Sequence, residues 1–226
     1  MNQEILILKD NARYLGLVLN EIQLAQFDTY RNELLQWNEK TNLISENSSQ
    51  EIISRHFLDS LTAWQFIQKP NALMIDVGCG AGFPGIPLKI AYPSLELYLL
   101  EANRKKVSFL KHIIRLLNIT SAYVLHNRVE NIIKMISLQE KFDILISRAT
   151  FKLSELLSQG EFFLVPGGKI IALKGPHVEE EIQQCSLVKN RYKISQLIQH
   201  DIKAPFLEAP RKIIIGKKQI FSKKTF

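Results

Sequence analysis

The sequence has few cysteines, no long apolar run and no internal repeat, and each absence excludes a class of protein. Its two cysteines, Cys79 and Cys185, are too few for a disulfide framework and lack the Cys/His spacing of a zinc site. No apolar run approaches the ~18 residues that cross a membrane. The first ten residues carry an acid, Glu4, and only a four-residue apolar run, so no signal peptide is indicated. These absences predict a cytoplasmic protein without a metal site or a membrane partner.

The composition is that of a globular protein with a basic charge balance. Hydrophobic residues make up 46% and charged residues 23% of the 226 residues, which is enough for one domain with a buried core. The net charge is +7 and the pI is about 9.3. Such a balance favours an anionic partner, nucleic acid before an anionic membrane surface, but it also occurs in proteins that bind no anion.

The hydrophobic pattern divides the chain into two regions. Residues 1–70 show helical periodicity and are predicted to form a helical cap. From Ala72 onward, strands alternate with helices, which predicts one α/β unit over 71–226 with a mainly parallel sheet and helices on both faces. Seven strands are predicted, and the last two lack a helix between them, so they should pair antiparallel at the sheet edge. The predicted strands are 73–78, 95–100, 122–126, 142–147, 169–174, about 193–199 and 211–215.

The most informative stretch is 73–85, a short apolar strand followed by glycines at 78, 80, 82 and 85. Glycines allow positive φ and close approach of a ligand to the backbone, and the helix that follows offers unpaired N–H groups. A nucleotide-like ligand is expected. In open parallel sheets the ligand lies beyond the carboxyl ends of the strands. Candidate site residues therefore follow the strands, at Glu101, 128–130, Arg148 and Lys174.

Two cofactors fit this stretch. Residues 80–85 match G-x-G-x-x-G, and Glu101 follows about twenty residues later, which is typical of an NAD dehydrogenase. Asp76, however, should place a carboxylate near the turn, where it would repel a pyrophosphate and favour a cationic sulfonium or ammonium group. The sequence also offers no candidate acid or base for hydride transfer. The pattern Asp-x-Gly-x-Gly-x-Gly therefore favours S-adenosylmethionine.

Several segments together resemble one family in the order expected. They are WNEKTNL at 37–43, RHFLDS at 55–60, DVGCGAGFPGIPL at 76–88, LLEANRKKVSFL at 99–110, SRA at 147–149 and ALKG at 172–175. Across about 25–215 the chain resembles the glucose-inhibited division protein B family, the bacterial 16S ribosomal RNA guanine-N7 methyltransferases. Departures from the family pattern are Cys79 for Thr, Glu101 for the common Asp and Phe83 for Leu.

The resemblance implies a Rossmann-like class I S-adenosylmethionine methyltransferase domain over 71–226 that acts on 16S ribosomal RNA or the small ribosomal subunit. It assigns cofactor contacts to Gly78, Phe83, Val129, Glu130 and Arg148. Reasoning from the residues adds Asp76, Gly80, Gly82 and Glu101, with Glu101 expected to hold the ribose hydroxyls. Two alternatives stay open: a methyltransferase with another RNA or small-molecule substrate, and a non-catalytic ribosome-assembly protein.

Guanine N7 has a lone pair and no proton, so its methylation needs placement rather than a general base. No catalytic residue is certain, and the candidates are Arg148, His56 and Lys174. Arg148 should bind the cofactor carboxylate or an RNA phosphate, or pair with Asp76. His56 could stack on a base or form a hydrogen bond to it, or be a satisfied histidine of the cap. The two cysteines are expected to be packing residues.

Basic residues near the predicted cleft are candidates for RNA phosphate contacts. They are Arg55, Arg104, Lys111, Arg115, Lys174, Arg211 and Lys212. A solvated surface is the other interpretation, and Arg55 could pair with Asp59 one helical turn away. A monomer is the default expectation. The sequence does not indicate which guanine is the target.

Overall fold

The computed structural model describes residues 3–45 and 48–220 of the chain. The first region is helical. It contains α1 Gln3–Tyr14, α2 Glu21–Thr41, α3 Ser49–Glu51, a π-helical stretch Ile52–Leu58 and α4 Asp59–Leu61. The last three segments follow one another without a break and are called the cap helix, residues 49–61. Asn20 starts α2 through a reciprocal capping box with Gln23, which is why the helix begins there.

The second region is a seven-stranded sheet in the order β3-β2-β1-β4-β5-β7-β6. Its strands are β1 Leu73–Val77, β2 Glu96–Glu101, β3 Ala122–His126, β4 Phe142–Arg148, β5 Leu164–Lys174, β6 Ile194–Ile202 and β7 Arg211–Lys218. The first five strands pair in parallel, and β7 lies antiparallel between β5 and β6. The predicted fold class and the antiparallel edge pair are therefore confirmed. The fifth strand begins earlier than predicted, because Leu164 already pairs with Phe142 before a register shift.

Helices cover both faces of the sheet and divide the core in two. They are α5 Gly85–Ala91, α6 Arg104–Leu116, α7 Val129–Ile132, α8 Leu153–Phe163 and α9 Glu179–Val188. The cap, α5 and α6 pack with one face, and α7, α8 and α9 pack with the other. Alternate strand residues enter opposite cores: Met74 faces the cap and Ile75 faces α8. None of the helices in the described part of the chain is long and apolar enough to cross a membrane.

The cap does not have a hydrophobic core separate from that of the sheet. Its last helical turn ends at Phe66 and the first strand starts at Leu73. One cluster of buried side chains nevertheless includes cap residues such as Leu34 together with sheet residues such as Ile146. The division between 1–70 and 71–226 stays a prediction, and residues 221–226 lie outside the described residues.

Tyr30 connects α2 of the cap to the turn after β1. Its hydroxyl donates a hydrogen bond to the Ala81 carbonyl at 2.6 Å, and the residue is completely buried. Its ring packs against both Phe57 and Phe83, with centroid distances of 5.2 and 5.6 Å. The cap thus holds the glycine turn by both a polar contact and aromatic packing.

Tyr30→Phe should lower the free energy of unfolding by about 1–3 kcal/mol, because the buried Ala81 carbonyl loses its hydroxyl donor while the ring is retained. Urea denaturation measures the change. Tyr123, 47% exposed on edge strand β3, provides the control, since Tyr123→Phe should change the free energy by no more than about 0.5 kcal/mol. An equal effect of both substitutions would contradict this role of Tyr30.

Candidate functional site

The turn after β1 requires glycine for conformation and for space. Gly78, Gly80 and Gly82 have φ values of 69°, 60° and 107°, all in the left-handed region. A Cβ atom on Gly78 would lie 2.6 Å from Thr150 Cγ2, and one on Gly82 would lie 2.8 Å from the Tyr30 hydroxyl. The turn is therefore packed from both sides, by the segment after β4 and by the cap.

Glu101 lies beside this turn, at the end of β2, as the sequence predicted. One carboxylate oxygen accepts the Gly80 N–H at 2.9 Å, and the other accepts the Asn103 N–H at 2.7 Å. The carboxylate is half-buried. Each oxygen keeps a second lone pair, so the same carboxylate can still accept hydrogen bonds from a diol.

Asp76 is buried beneath the turn with an unsatisfied oxygen. Oδ2 accepts the Gly85 N–H at 2.7 Å, whereas Oδ1 has no hydrogen-bond partner among the described residues. Burial raises the pKa of Asp76 from 3.8 to about 7, although the Gly85 N–H and Arg148 lower it; the negative charge of Glu101 adds to the rise. The folded protein therefore loses stability as the pH rises from 3.8 toward 7, because the carboxyl ionises in the unfolded chain while it stays protonated in the folded one. A cation next to Oδ1 would offset that cost.

A cavity of about 210 Å³ opens beside the turn and is called the glycine cavity. Its lining residues are Val77, Gly78, Leu100, Glu101, Ala102, Asn127, Arg128, Val129, Glu130, Thr150 and Phe151. The predicted Val129 and Glu130 are there at the start of α7. Thr150 and Phe151 were not predicted, although their position directly after β4 was a usable signal. The Thr150 hydroxyl donates to the Gly78 carbonyl at 3.0 Å.

Arg148 extends from the end of β4 to the cap helix. Its guanidinium donates to the Arg55 carbonyl at 2.8 Å and to Asp59 Oδ2 at 3.0 Å, and contacts His56 Nδ1 at 2.7 Å. Its side chain is 13% exposed. Arg148 therefore forms its ion pair with Asp59 and not with Asp76, the partner considered from the sequence.

Asp59 is shared by two arginines. Its other oxygen, Oδ1, accepts from Arg211 Nε at 2.5 Å, and the side chain is only 1% exposed. The sequence also allowed a surface pair between Asp59 and Arg55. The carboxylate instead faces the sheet, because Arg148 and Arg211 occupy strand positions on the cap side, in phase with Ile146 and Ile213.

His56 and Phe83 stack on each other, with ring centroids 4.6 Å apart and an angle of 18° between the planes. Both are nearly buried, at 9% and 4% exposure. Phe83 also stacks with Tyr30, and the Arg148 guanidinium lies 5.1 Å from the Phe83 centroid. Phe83 thus packs under the cap instead of lining the glycine cavity, and a stacking role for His56 on a base would require the His56–Phe83 stack to open.

A second cavity, of about 430 Å³, lies between the cap helix and the loop before β7 and is called the cap cavity. It is lined by Ser54, Arg55, His56, Asp59, Arg148, Ala149, Pro176 and residues 206–211. Three arginines and two carboxylates, Asp59 and Glu208, face it. The two cavities are neighbours: Arg148 and Ala149 line the cap cavity, and the next two residues, Thr150 and Phe151, line the glycine cavity.

The other basic candidates lie in two different environments. Arg104, Lys111 and Arg115 are exposed along one face of α6. Lys174 and Lys212 lie on the α9 side of the sheet, where they bind Glu181 and Glu179 and are only 10% and 13% exposed. For Lys174 and Lys212 a phosphate contact would require these ion pairs to break, so their role in RNA binding stays a prediction.

The site offers no alternative chemistry from thiols or a metal cluster. Cys79 and Cys185 are both buried, and burial is the main cause that raises the pKa of each thiol. Neither is therefore a ready thiolate nucleophile. In the two described ranges, no group of three or more His, Cys, Asp or Glu side chains is arranged to hold a metal ion.

Solved structures with this fold include methyltransferases. A predicted O-methyltransferase from Agrobacterium tumefaciens gives a TM-score of 0.58 at 19% identity, over 71% of this chain and 80% of that one. TYW2 from M. jannaschii, solved in complex with AdoMet, gives a TM-score of 0.53 at 18% identity, over 70% and 73%. At these identities the likeness concerns the fold.

Sequence relatives cover nearly the whole chain. Ribosomal RNA small subunit methyltransferase G from Syntrophus aciditrophicus is 40% identical over 95% of this chain and 89% of its own length. The protein of the same name from Caldanaerobacter subterraneus subsp. tengcongensis is 37% identical over 96% and 90%. The family model GidB, rRNA small subunit methyltransferase G, matches residues 23–213. The predicted family is thereby confirmed, and the chain belongs to the GidB family.

Proposed function

We propose that this chain transfers a methyl group from S-adenosylmethionine to N7 of a guanine in 16S ribosomal RNA. The observation that carries the proposal is the side-by-side position of two cavities in a member of the GidB family. The glycine cavity has the features of a cofactor site, and the cap cavity is lined by arginines, as an anionic substrate requires. Residues 148–151 separate the two, so a methyl group has a short distance to travel.

The residues of the glycine cavity fit S-adenosylmethionine. Glu101 can accept hydrogen bonds from the ribose hydroxyls, and we expect Val129 and Glu130 to contact the adenine. Asp76 does not line the glycine cavity but is buried beneath the turn beside it. Its Oδ1 is an acceptor without a donor among the described residues, and a cationic group would satisfy it. A pyrophosphate would instead add negative charge beside Asp76 and Glu101, which argues against the dinucleotide alternative.

When bound, S-adenosylmethionine supplies a methyl group on a positively charged sulfur. The guanine N7 lone pair forms the new N–C bond while the S–C bond breaks, and the electron pair of that bond goes to sulfur. No proton leaves N7, so the chain has to place the base and exclude water rather than supply a general base. Arg148 lies between the cavities and is proposed to orient the substrate through its charge, while its guanidinium keeps its contacts with Asp59, His56 and the Arg55 carbonyl.

RNA binding is expected to use the exposed basic face of α6 together with the cap cavity. Arg104 is the first residue of α6, three positions after Glu101, and Lys111 and Arg115 lie further along the same face of the helix. These three cationic side chains can bind successive phosphates of an RNA strand through charge alone. The affinity for RNA should therefore fall as the salt concentration rises. The proposal places the protein in the cytoplasm, acting as a monomer on the small subunit or its RNA.

Cofactor affinity should depend on pH through Asp76. A cation at Oδ1 favours the ionised carboxyl, whose pKa in the free protein is about 7. Affinity for S-adenosylmethionine should therefore rise with pH up to about 7, by at most about tenfold per unit, and then level off. Isothermal titration calorimetry at several pH values measures it.

Asp76→Asn should bind more weakly and lose this pH dependence, since no carboxyl remains to titrate at that position. Glu130→Gln is the matched control, because Glu130 is an exposed residue of the glycine cavity and its loss should leave the pH dependence of the affinity intact. A wild-type affinity that is constant across this pH range would show that no cation lies near Asp76.

The function itself is tested with purified protein, labelled S-adenosylmethionine and small ribosomal subunits from a strain that lacks the gene for this chain. Label should appear in 7-methylguanosine of the 16S RNA when nucleosides are separated by mass spectrometry. Label in another nucleoside would support a methyltransferase with another target. Binding of the subunit without any transfer would support the non-catalytic assembly protein, and either result would refute the proposal.

A further inference from the structure

Arg55 and Glu208 form a forked ion pair at the mouth of the cap cavity. Arg55 Nε and Nη2 donate to Glu208 Oε1 at 3.0 and 2.8 Å, and Nη2 also donates to Oε2 at 3.1 Å. Two nitrogen donors of the guanidinium thus face two oxygens of the carboxylate. Arginine binds a phosphate with the same forked geometry. The carboxylate thus occupies the position that an RNA phosphate would take.

The Arg55–Glu208 pair is open to solvent, unlike the two ion pairs of Asp59, and Arg55 also lies 3.8 Å from the exposed carboxylate of Glu51. The Arg55 and Glu208 side chains are 42% and 70% exposed, whereas Asp59 is 1% exposed. Exposed pairs contribute little to stability, so an incoming anion can replace the carboxylate at small cost. The buried Asp59 cluster, in contrast, has to stay intact for the cap to remain on the sheet.

The loop that carries Glu208 is held on both sides of it. Phe206 packs edge-to-face on Tyr14 of α1, with centroids 6.5 Å apart, and Arg211 is bound by Asp59. Residues 208–210 between these points are exposed. Glu208 is therefore kept close to Arg55 by its neighbours in the chain, while its own side chain can turn away.

From these contacts we propose that Arg55 is a phosphate-binding residue of the cap cavity, which Glu208 occupies until an RNA phosphate displaces it. This inference rests on the proposed function, because it assumes that the cap cavity receives RNA. Glu208 stays close to Arg55 at a high effective concentration, so isolated or poorly placed phosphates compete badly. An RNA held at several other points competes well. The pair would then favour the correctly docked substrate over other RNA.

The test measures the affinities of wild-type protein and of Glu208→Gln for small subunits and for an unrelated RNA. S-adenosylhomocysteine is present in place of S-adenosylmethionine, so no methyl transfer occurs. Glu208→Gln should tighten binding of the unrelated RNA by about two- to fivefold and that of small subunits by less. Glu161→Gln is the charge-matched control, since Glu161 pairs with Lys193 away from the cap cavity and loses the same charge. It should change both affinities only slightly.

A double-substitution cycle assigns the effect to the pair. In an Arg55→Gln background, Glu208→Gln should have no further effect on affinity, while Arg55→Gln alone should weaken binding of small subunits and lower its salt dependence. Urea denaturation of each variant checks that the exposed substitutions leave folding intact. The inference is overturned if Glu208→Gln matches Glu161→Gln, or if its effect persists without Arg55.

Failure of this inference can be told apart from failure of the proposed function. If wild-type protein forms 7-methylguanosine but the cycle shows no coupling between Arg55 and Glu208, only the inference about the pair is wrong. If the coupling is found but no 7-methylguanosine forms, the phosphate site stands and the proposed reaction is wrong.

Discussion

The arrangement of the site depends on one buried carboxylate, that of Asp59, which binds Arg148 on one side and Arg211 on the other. A buried charge is costly unless its partners are close and well oriented, and here two guanidinium groups satisfy both oxygens. These contacts join the cap helix to β4 and β7. Because Arg148 also contacts His56, which stacks on Phe83, the same cluster fixes the position of the glycine turn relative to the cap.

This constraint fits a reaction that needs placement more than acid–base chemistry. The two acidic groups next to the glycine turn, Asp76 and Glu101, help to hold it through the N–H groups of Gly85 and Gly80. Arg148 is held by three neighbours and cannot act as a base. The rate enhancement is therefore assigned to two neighbouring cavities separated by residues 148–151, with the nucleophile supplied by guanine itself.

Much of the fold was predictable because a parallel sheet leaves strong local signals. Apolar strands that end in glycine, helices between them and the acid after β2 indicated the element order and the neighbours of the glycine turn. Asp76 and the glycines favoured S-adenosylmethionine, and the resemblance to a family added the RNA substrate. The contacts of the polar residues were harder to predict. Phe83 was expected at the ligand but is covered by His56 and Tyr30, because the cap, whose packing leaves no local signal, lies over it.

The strand pattern also carries information about which face each basic residue occupies. Side chains alternate between the two faces, so Arg148 and Arg211 face the cap while Lys174 and Lys212 face α9. Counting along each strand from an apolar residue of the cap-side core, Ile146 in β4, Leu173 in β5 and Ile213 in β7, is enough to separate these two pairs. The partners Asp59, Glu181 and Glu179 are not predictable in this way, since each comes from a helix that only the tertiary fold brings to the strand end.

The central claim, that placement and not proton removal drives methyl transfer, is tested by the single-turnover rate with saturating cofactor and small subunits at several pH values. Between about pH 7.5 and 8.5, above the pKa of Asp76, the account predicts a rate that changes by less than about twofold. A rate that rises by about tenfold per pH unit would reveal an essential general base and contradict the account.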